Sequence, residues 1–122
     1  MNWLTTIEKA FAERETQRKR LLMIFKGNGD WCPWCNKLEA LLGADPALDR
    51  YLENEEILGA KIGIPRKSED SEGIRDRFGI TGIPFLVFYA DDGRLEGATE
   101  YIDGGDAGSY ISWIESVDSS AL

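Results

Sequence analysis

The chain has 122 residues, of which 43% are hydrophobic and 30% are charged, so it can bury one core without metals or disulfide staples. Its net charge of −8 comes from 22 acidic and 14 basic side chains, which argues against nucleic acid and anionic membranes as partners. Histidine is absent, which excludes histidine-activated nucleophiles and histidine-containing metal sites.

The acidic surface has two interpretations. The first is that the carboxylates keep the protein soluble, and the second is that they favour basic partners. We prefer the first, because most surface charge only interacts with solvent. A monomer is expected.

The N-terminal 20 residues predict an amphipathic helix, since apolar side chains recur with helical spacing from residue 3 to about residue 17. This stretch lacks the apolar centre of a signal peptide. We therefore expect a cytoplasmic protein, or a periplasmic one if a signal has been removed. One domain is predicted over residues 1–122, with a frayed end at residues 118–122.

The only two cysteines lie in the sequence W-C-P-W-C at residues 31–35. The apolar run at residues 21–25 predicts a buried strand before them, and good helix formers follow them. Cys32 is therefore predicted at a helix start, with Pro33 as the first helical residue. The unpaired amides and the helix dipole favour a thiolate at Cys32, which we expect to be exposed, whereas Cys35 is expected to be more buried. Cys35, in the first turn, can attack a mixed disulfide formed on Cys32.

Redox chemistry is the preferred interpretation of this pair. A bridge across so short a loop removes little unfolded-chain entropy, about 2 kcal/mol, so it is poorly placed as a staple. A metal site is the alternative, but zinc and iron–sulfur clusters normally take four ligands. Two thiols without histidine would need a second chain or glutathione to complete such a site. No metal and no cofactor are predicted.

The middle of the chain predicts alternating helices and strands. Asp45 and Pro46 are typical of a helix N-cap and first helical residue. Apolar residues at 55–64 predict a strand, and a polar loop over residues 65–71 follows. Residues 71–78 predict a short helix that ends at a glycine.

The last third predicts a hairpin and a helix. Residues 85–89 form a central strand, residues 91–93 a hairpin turn and residues 95–102 the return strand. Asp106 caps a final helix. The expected fold is α/β, a single domain with a central mixed β-sheet and helices on both faces.

The W-C-P-W-C motif and the segment G-I-T-G-I-P-F at residues 79–85 resemble the thioredoxin-like superfamily, over roughly residues 15–117. The resemblance implies a thioredoxin fold in which Pro84 follows a cis peptide bond and faces the cysteines. It also implies that the N–H and C=O of Ile83 pair with an extended substrate segment.

The tryptophans and the intervening proline complete the expected substrate-binding surface. Trp31 resembles the tryptophan that precedes the first cysteine in thioredoxins, where it helps to form an apolar contact surface. Trp34, at the second helical position, is expected to be exposed and to contact a partner. Pro33 lies between them. Two interpretations are open for Gly104 and Gly105. Either one of them allows a substrate to approach closely, or they only form a turn.

Two features depart from the family pattern. Thioredoxins carry Gly-Pro between the cysteines, whereas this chain has Pro-Trp, which is closer to glutaredoxins and periplasmic oxidants. Thioredoxins also place a buried carboxylate on the strand before the motif, where this chain has Lys26. Either a water or Asp30 would then assist proton transfer, or proton transfer would be slower.

The predicted function is that of a thiol–disulfide oxidoreductase acting on protein disulfides, with Cys32 attacking and Cys35 resolving. A recycling reductase or glutathione would return the pair to its dithiol form. Two alternatives are a glutaredoxin-like, glutathione-dependent enzyme, and a non-enzymatic binding module that bridges chains through a metal or presents its acidic surface.

Overall fold

A computed structural model describes the backbone of residues 1–66 and 69–121 and the side chains of residues 1–66 and 73–120. Its four strands are β1 (Leu21–Gly27), β2 (Leu58–Ile64), β3 (Phe85–Tyr89) and β4 (Leu95–Glu100). They form one sheet in the order β2-β1-β3-β4. Because β1 pairs parallel with β2 while the β1–β3 and β3–β4 pairs are antiparallel, the predicted mixed sheet is confirmed.

Helices cover both faces of this sheet. They are α1 (Ile7–Gln17), α2 (Pro33–Ala44), α3 (Ala47–Asn54), α4 (Glu69–Phe78) and α5 (Ala107–Val117). Alternate residues of a strand point to opposite faces, so Leu22 and Ile24 pack with α2, α3 and α5 while Met23 and Phe25 pack with α1 and α4. In the described part of the chain, no helix combines the length and apolarity needed to cross a bilayer.

The N-terminal helix begins later than predicted. It starts at Ile7, where the side chain of Thr6 caps it by accepting a hydrogen bond from the Lys9 N–H at 3.2 Å. The preceding residues are extended, because Leu4 pairs with the outer edge of β2 through backbone hydrogen bonds to Gly59 and Lys61 of 2.9 and 2.8 Å. The outer edge of β2 therefore forms backbone hydrogen bonds with the segment around Leu4, whose apolar spacing had suggested a helix.

The predicted frayed end over residues 118–122 is wrong for the part that the structure describes. Asp118 is only 2% exposed and accepts a 2.5 Å hydrogen bond from the Arg20 guanidinium. A 3-10 turn over Ser119–Ala121 follows it. A partner 98 residues away in the sequence orders this segment, whereas residue 122 lies outside the described residues.

Smaller differences concern the ends of elements. β2 begins at Leu58 rather than residue 55, because the N–H of Ile57 donates to the carbonyl of Leu52 and closes α3. α3 begins at Ala47 with Pro46 as its N-cap, one residue later than predicted. α4 begins at Glu69, so residues 69–71 are helical rather than loop, and residues 67–68 lie outside the described residues.

Candidate active site

The two cysteines lie where β1 ends and α2 begins, as predicted. Cys32 is the N-cap of α2 and Pro33 is its first residue. Cys32 and Cys35 form a disulfide with their Cα atoms 5.2 Å apart. The N–H of Cys35 donates to Cys32 Sγ at 3.2 Å, and the N–H of Gly27 donates to Cys35 Sγ at 3.3 Å. Each sulfur therefore accepts a hydrogen bond from a backbone amide.

Cys32 is less exposed than the sequence predicted. The residue is 5% exposed and Cys35 is 2% exposed, so the expected exposure of the attacking cysteine is wrong for the oxidised form. The reason is that Cys32 Sγ lies against the carbonyl oxygen of Ile83 at 3.8 Å. Sequence reasoning about the local turn could not include this contact, which comes from a segment 51 residues later.

Gly27 is a site residue that was not predicted from the sequence. A Cβ atom at this position would lie 2.9 Å from the Cβ of Cys32 and 2.9 Å from the Trp31 ring. Only glycine therefore lets both residues pack over the end of β1. The available signal was a glycine at the end of an otherwise apolar strand, which often marks close backbone approach.

The loop before β3 faces the cysteines. β3 pairs antiparallel with β1, with Phe85 opposite Phe25, so the segment before β3 lies beside the segment after β1. The Ile83–Pro84 peptide bond in this loop is cis, which is the isomer that the resemblance implies. Pro84 is buried and Ile83 is half-buried.

The tryptophans occupy different environments. Trp34 is 47% exposed, as expected, and its ring centroid lies 5.3 Å from that of Tyr101. The Nζ of Lys37 lies 4.2 Å from the Trp34 centroid. Trp31 is half-buried, with the guanidinium carbon of Arg66 5.9 Å from its ring centroid.

A groove of about 390 Å³ lies beside the loop that faces the cysteines, and Ile83 belongs both to its lining and to the contact with Cys32 Sγ. It is lined by Trp34, Gly82, Ile83, Pro84, Glu100, Tyr101 and Asp103. Two predicted substrate-binding residues, Trp31 and Pro33, lie outside this lining. The acidic and aromatic residues at and after the end of β4 were not predicted, because a register shift between Phe88 and Tyr89 decides which β4 residue lies opposite Phe85.

Other predicted features lie away from the groove. Lys26 is half-buried at the end of β1, and Asp30 is exposed. Gly104 has a φ of +71° and belongs to the turn before α5, and neither it nor Gly105 lines the groove. Within residues whose side chains are described, no three Cys, Asp or Glu side chains come together as a metal site.

Comparison with known proteins gives a family and several relatives. The family model for a thioredoxin-like domain matches residues 7–101. The thiol:disulfide interchange protein DsbD of Haemophilus influenzae is 26% identical over 86 residues, which are 70% of this chain and 14% of that protein. The chain therefore spans about one seventh of the length of that relative.

Two further likenesses cover more of both chains. The disulfide bond reductase DsbH of Chlamydia pneumoniae is 24% identical over 123 aligned positions, covering 95% of this chain and 72% of that protein. A solved structure of a DsbH oxidoreductase superposes with a TM-score of 0.73 at 20% identity, covering 96% of this chain and 83% of the other. This likeness supports the fold. The names give no support to the cytoplasmic expectation.

Proposed function

The chain belongs to the family of thioredoxin-like domains, and from that membership we propose that it is a thiol–disulfide oxidoreductase that reduces or exchanges protein disulfides. The observation that carries the proposal is the Cys32–Cys35 disulfide at the start of α2, directly beside the loop that holds Ile83 and Pro84. This arrangement supplies a reversible two-electron couple next to a surface groove.

In the reduced protein, Cys32 is the attacking group. Its sulfur lies at the N-cap of α2, where the Cys35 N–H points at it and the helix dipole favours a negative charge. The Cys32 thiolate attacks one sulfur of a substrate disulfide. A mixed disulfide forms, and the other substrate sulfur leaves as a thiolate that takes up a proton.

Cys35 completes the reaction. Its thiolate attacks Cys32 Sγ, which re-forms the internal disulfide and releases the second substrate sulfur as a thiol. Two electrons have then passed from the protein dithiol to the substrate, which becomes two thiols. Asp30 or a water is proposed to accept the Cys35 proton, because residues 21–29 contain no carboxylate and Lys26 lies near the position where the resemblance to thioredoxins would place one.

The surface next to Cys32 supports binding of an extended segment. Among the described residues, the backbone N–H and C=O of Ile83 make no turn or loop hydrogen bond to other backbone groups. They are therefore available to pair with a substrate backbone, as in strand addition. The exposed ring of Trp34 forms the opposite wall of the groove.

Net reduction is the direction we propose. The relatives' names describe disulfide interchange and disulfide bond reduction. Such a domain must itself be returned to the dithiol form by a dithiol reductase or by glutathione, and the names do not point to glutathione. We place the domain in the periplasm, where protein disulfides form and persist.

Serine variants of the two cysteines test this function. Pre-reduced protein is mixed with one equivalent of a disulfide-bonded protein such as insulin, and after an acid quench the two proteins are separated and the thiols on the insulin chains are measured. Cys32→Ser should abolish reduction, because no nucleophile remains at the helix start.

Cys35→Ser is the matched control, since it removes a sulfur three residues away. It should accumulate a mixed disulfide between Cys32 and the substrate, because nothing resolves that intermediate. Reduction by Cys32→Ser at the wild-type rate would contradict the assignment of the attacking residue.

A further inference from the structure

We propose that the groove beside Cys32 selects substrate segments that carry a lysine or arginine within about two residues of the reactive cysteine. This inference rests on the proposed function and adds a substrate preference to it. It starts from the two carboxylates, Glu100 and Asp103, that line the groove together with aromatic and apolar residues.

Glu100 is held in position by its surroundings. Its Oε1 accepts a 2.9 Å hydrogen bond from the hydroxyl of Thr81. The carboxylate also lies against Gly82, where a Cβ would be 2.6 Å from Oε1. Two residues of the loop that faces the cysteines therefore fix the negative charge beside Ile83, at the position where an extended substrate would lie.

The groove carboxylates lack a cationic partner within the described part of the chain. Neither Glu100 nor Asp103 has a lysine or arginine nitrogen within 4.0 Å there, although five ion pairs form elsewhere. Both residues are exposed. A basic side chain from a substrate would therefore meet two acidic groups without breaking an ion pair among these residues.

The remaining walls suit the other parts of a basic side chain. Trp34 and Tyr101 form an aromatic pair on one side, and Ile83 and Pro84 give an apolar floor. Long basic side chains bury their stems on such surfaces while the charged head reaches polar groups. The Trp34 ring already has the Lys37 ammonium 4.2 Å from its centroid, as expected for a ring that attracts cations.

The groove also has a suitable size and position. Its volume of about 390 Å³ lies within the range that binds small ligands. Ile83 belongs both to the groove lining and to the contact with Cys32 Sγ at 3.8 Å. Since an extended chain advances about 3.3–3.6 Å per residue, a side chain in the groove lies within about two residues of the cysteine under attack.

The test uses matched peptide disulfides. Three eight-residue peptides, each a dimer joined through its single cysteine, differ only in having Lys, Gln or Glu next to the cysteine. Pre-reduced protein is mixed with each peptide in a single turnover at low salt, and the second-order rate constant is measured by acid quench and chromatography.

We expect wild-type protein to reduce the Lys peptide about fivefold faster than the Gln peptide, and the Glu peptide more slowly than either. The ratio should approach one in 0.5 M NaCl, because salt screens exposed charges. Glu100→Gln combined with Asp103→Asn should bring the Lys-to-Gln ratio close to one at low salt.

The matched control is Glu8→Gln combined with Glu15→Gln, which removes the same charge from α1. This helix packs on the face of the sheet opposite to α2, the helix that carries Trp34. This variant should keep the preference. Asp103→Asn alone, which breaks no hydrogen bond among the described residues, should lose part of the preference and guards against misfolding of the double variant.

The outcomes separate the two claims. If wild-type protein reduces all three peptides at one rate, or if the groove and control variants lose the preference equally, the groove does not select basic residues while the proposed function stands. If wild-type protein reduces none of the peptides or insulin, the proposed function fails and the preference fails with it.

Discussion

At the scale of single residues, the environment of Cys32 depends on four features. The sulfur lies at the N-cap of α2, accepts the Cys35 N–H and touches the carbonyl of Ile83. The missing side chain of Gly27 leaves space for the Cβ of Cys32 and for the Trp31 ring. Cys32 is therefore only 5% exposed, while the neighbouring Trp34 is 47% exposed and lines the groove.

Gly27→Ala should destabilise the oxidised protein by about 1–3 kcal/mol, the usual cost of overpacking a core. The added methyl would lie 2.9 Å from Cys32 Cβ and from the Trp31 ring, so one of them must move. Urea denaturation of wild-type and variant protein measures the free energy of unfolding.

Gly43→Ala is the matched control, because a Cβ there has no neighbour within 4 Å and the residue lies in α2. It should be neutral or stabilising by about 0.5 kcal/mol, since alanine favours helices over glycine. Equal unfolding midpoints for the two variants would contradict the packing argument at Gly27.

At the scale of elements, Arg20 connects three of them. It precedes β1, donates to the carbonyl of Glu55 after α3 at 2.5 Å, and pairs with Asp118 at the end of α5 at 2.5 Å. Burial alone would raise the pKa of Asp118, but hydrogen bonds from Ser120 and Arg20 together outweigh burial and lower that pKa. The folded state therefore favours the charged carboxylate.

A lowered pKa in the folded state stabilises the protein above the unfolded-state pKa of about 3.9. This stability is lost as the pH falls from that value through the folded-state pKa. Asp118→Asn should therefore lower the free energy of unfolding by about 2 kcal/mol at pH 7, and the difference from wild type should shrink below about pH 4.

Denaturant titrations at pH 7, 5 and 3 measure this dependence. Asp76→Asn is the control, because Asp76 is exposed on α4 and the substitution removes the same charge. It should leave the free energy of unfolding within about 0.5 kcal/mol of wild type. A constant effect of Asp118→Asn from pH 7 to pH 3 would show that the carboxylate charge does not stabilise the fold.

At the scale of the whole molecule, the redox site is assembled from distant parts of the chain. The start of α2 supplies the cysteines, the loop before β3 supplies Ile83 and Pro84, and the end of β4 supplies Glu100. These segments meet because β1 and β3 are adjacent antiparallel strands in the sheet. The proposed substrate-binding surface therefore exists only in the folded domain and not in the W-C-P-W-C segment alone.

The reduction potential of the Cys32–Cys35 couple should be about −200 mV or more negative, because a protein that donates electrons to disulfides needs a potential below that of its substrates. Equilibration in glutathione buffers, followed by thiol trapping, measures the potential. Cys35→Ser is the control and should show no intramolecular dithiol–disulfide transition. A potential near −120 mV, typical of strong disulfide oxidants, would contradict net reduction.

Much of the site could be predicted because its determinants are local. A proline after Cys32, an apolar run before it and helix formers after it place the cysteine at a helix start, and α2 does begin at Pro33. The capping of α5 by Asp106 follows from the same kind of short-range signal. The start of α1 was misplaced because the edge of β2 pairs with Leu4.

The acidic side of the groove could not be placed from the turn at residues 91–93. Tyr89 pairs with Leu95, so simple counting would put Thr99 opposite Phe85. A register shift between Phe88 and Tyr89 instead puts Glu100 there, and one residue of shift sends a side chain to the other face. Sequence spacing alone does not reveal such a bulge.

The mixed α/β order, the redox pair and its position at a helix start were all predictable from the sequence, because hydrophobic periodicity, proline and capping residues act over a few positions. The burial of Cys32 beside Ile83 and the position of Glu100 at the edge of the groove became visible only in the folded chain. Both depend on strand pairing and register between segments distant in the chain, which local residue preferences do not encode.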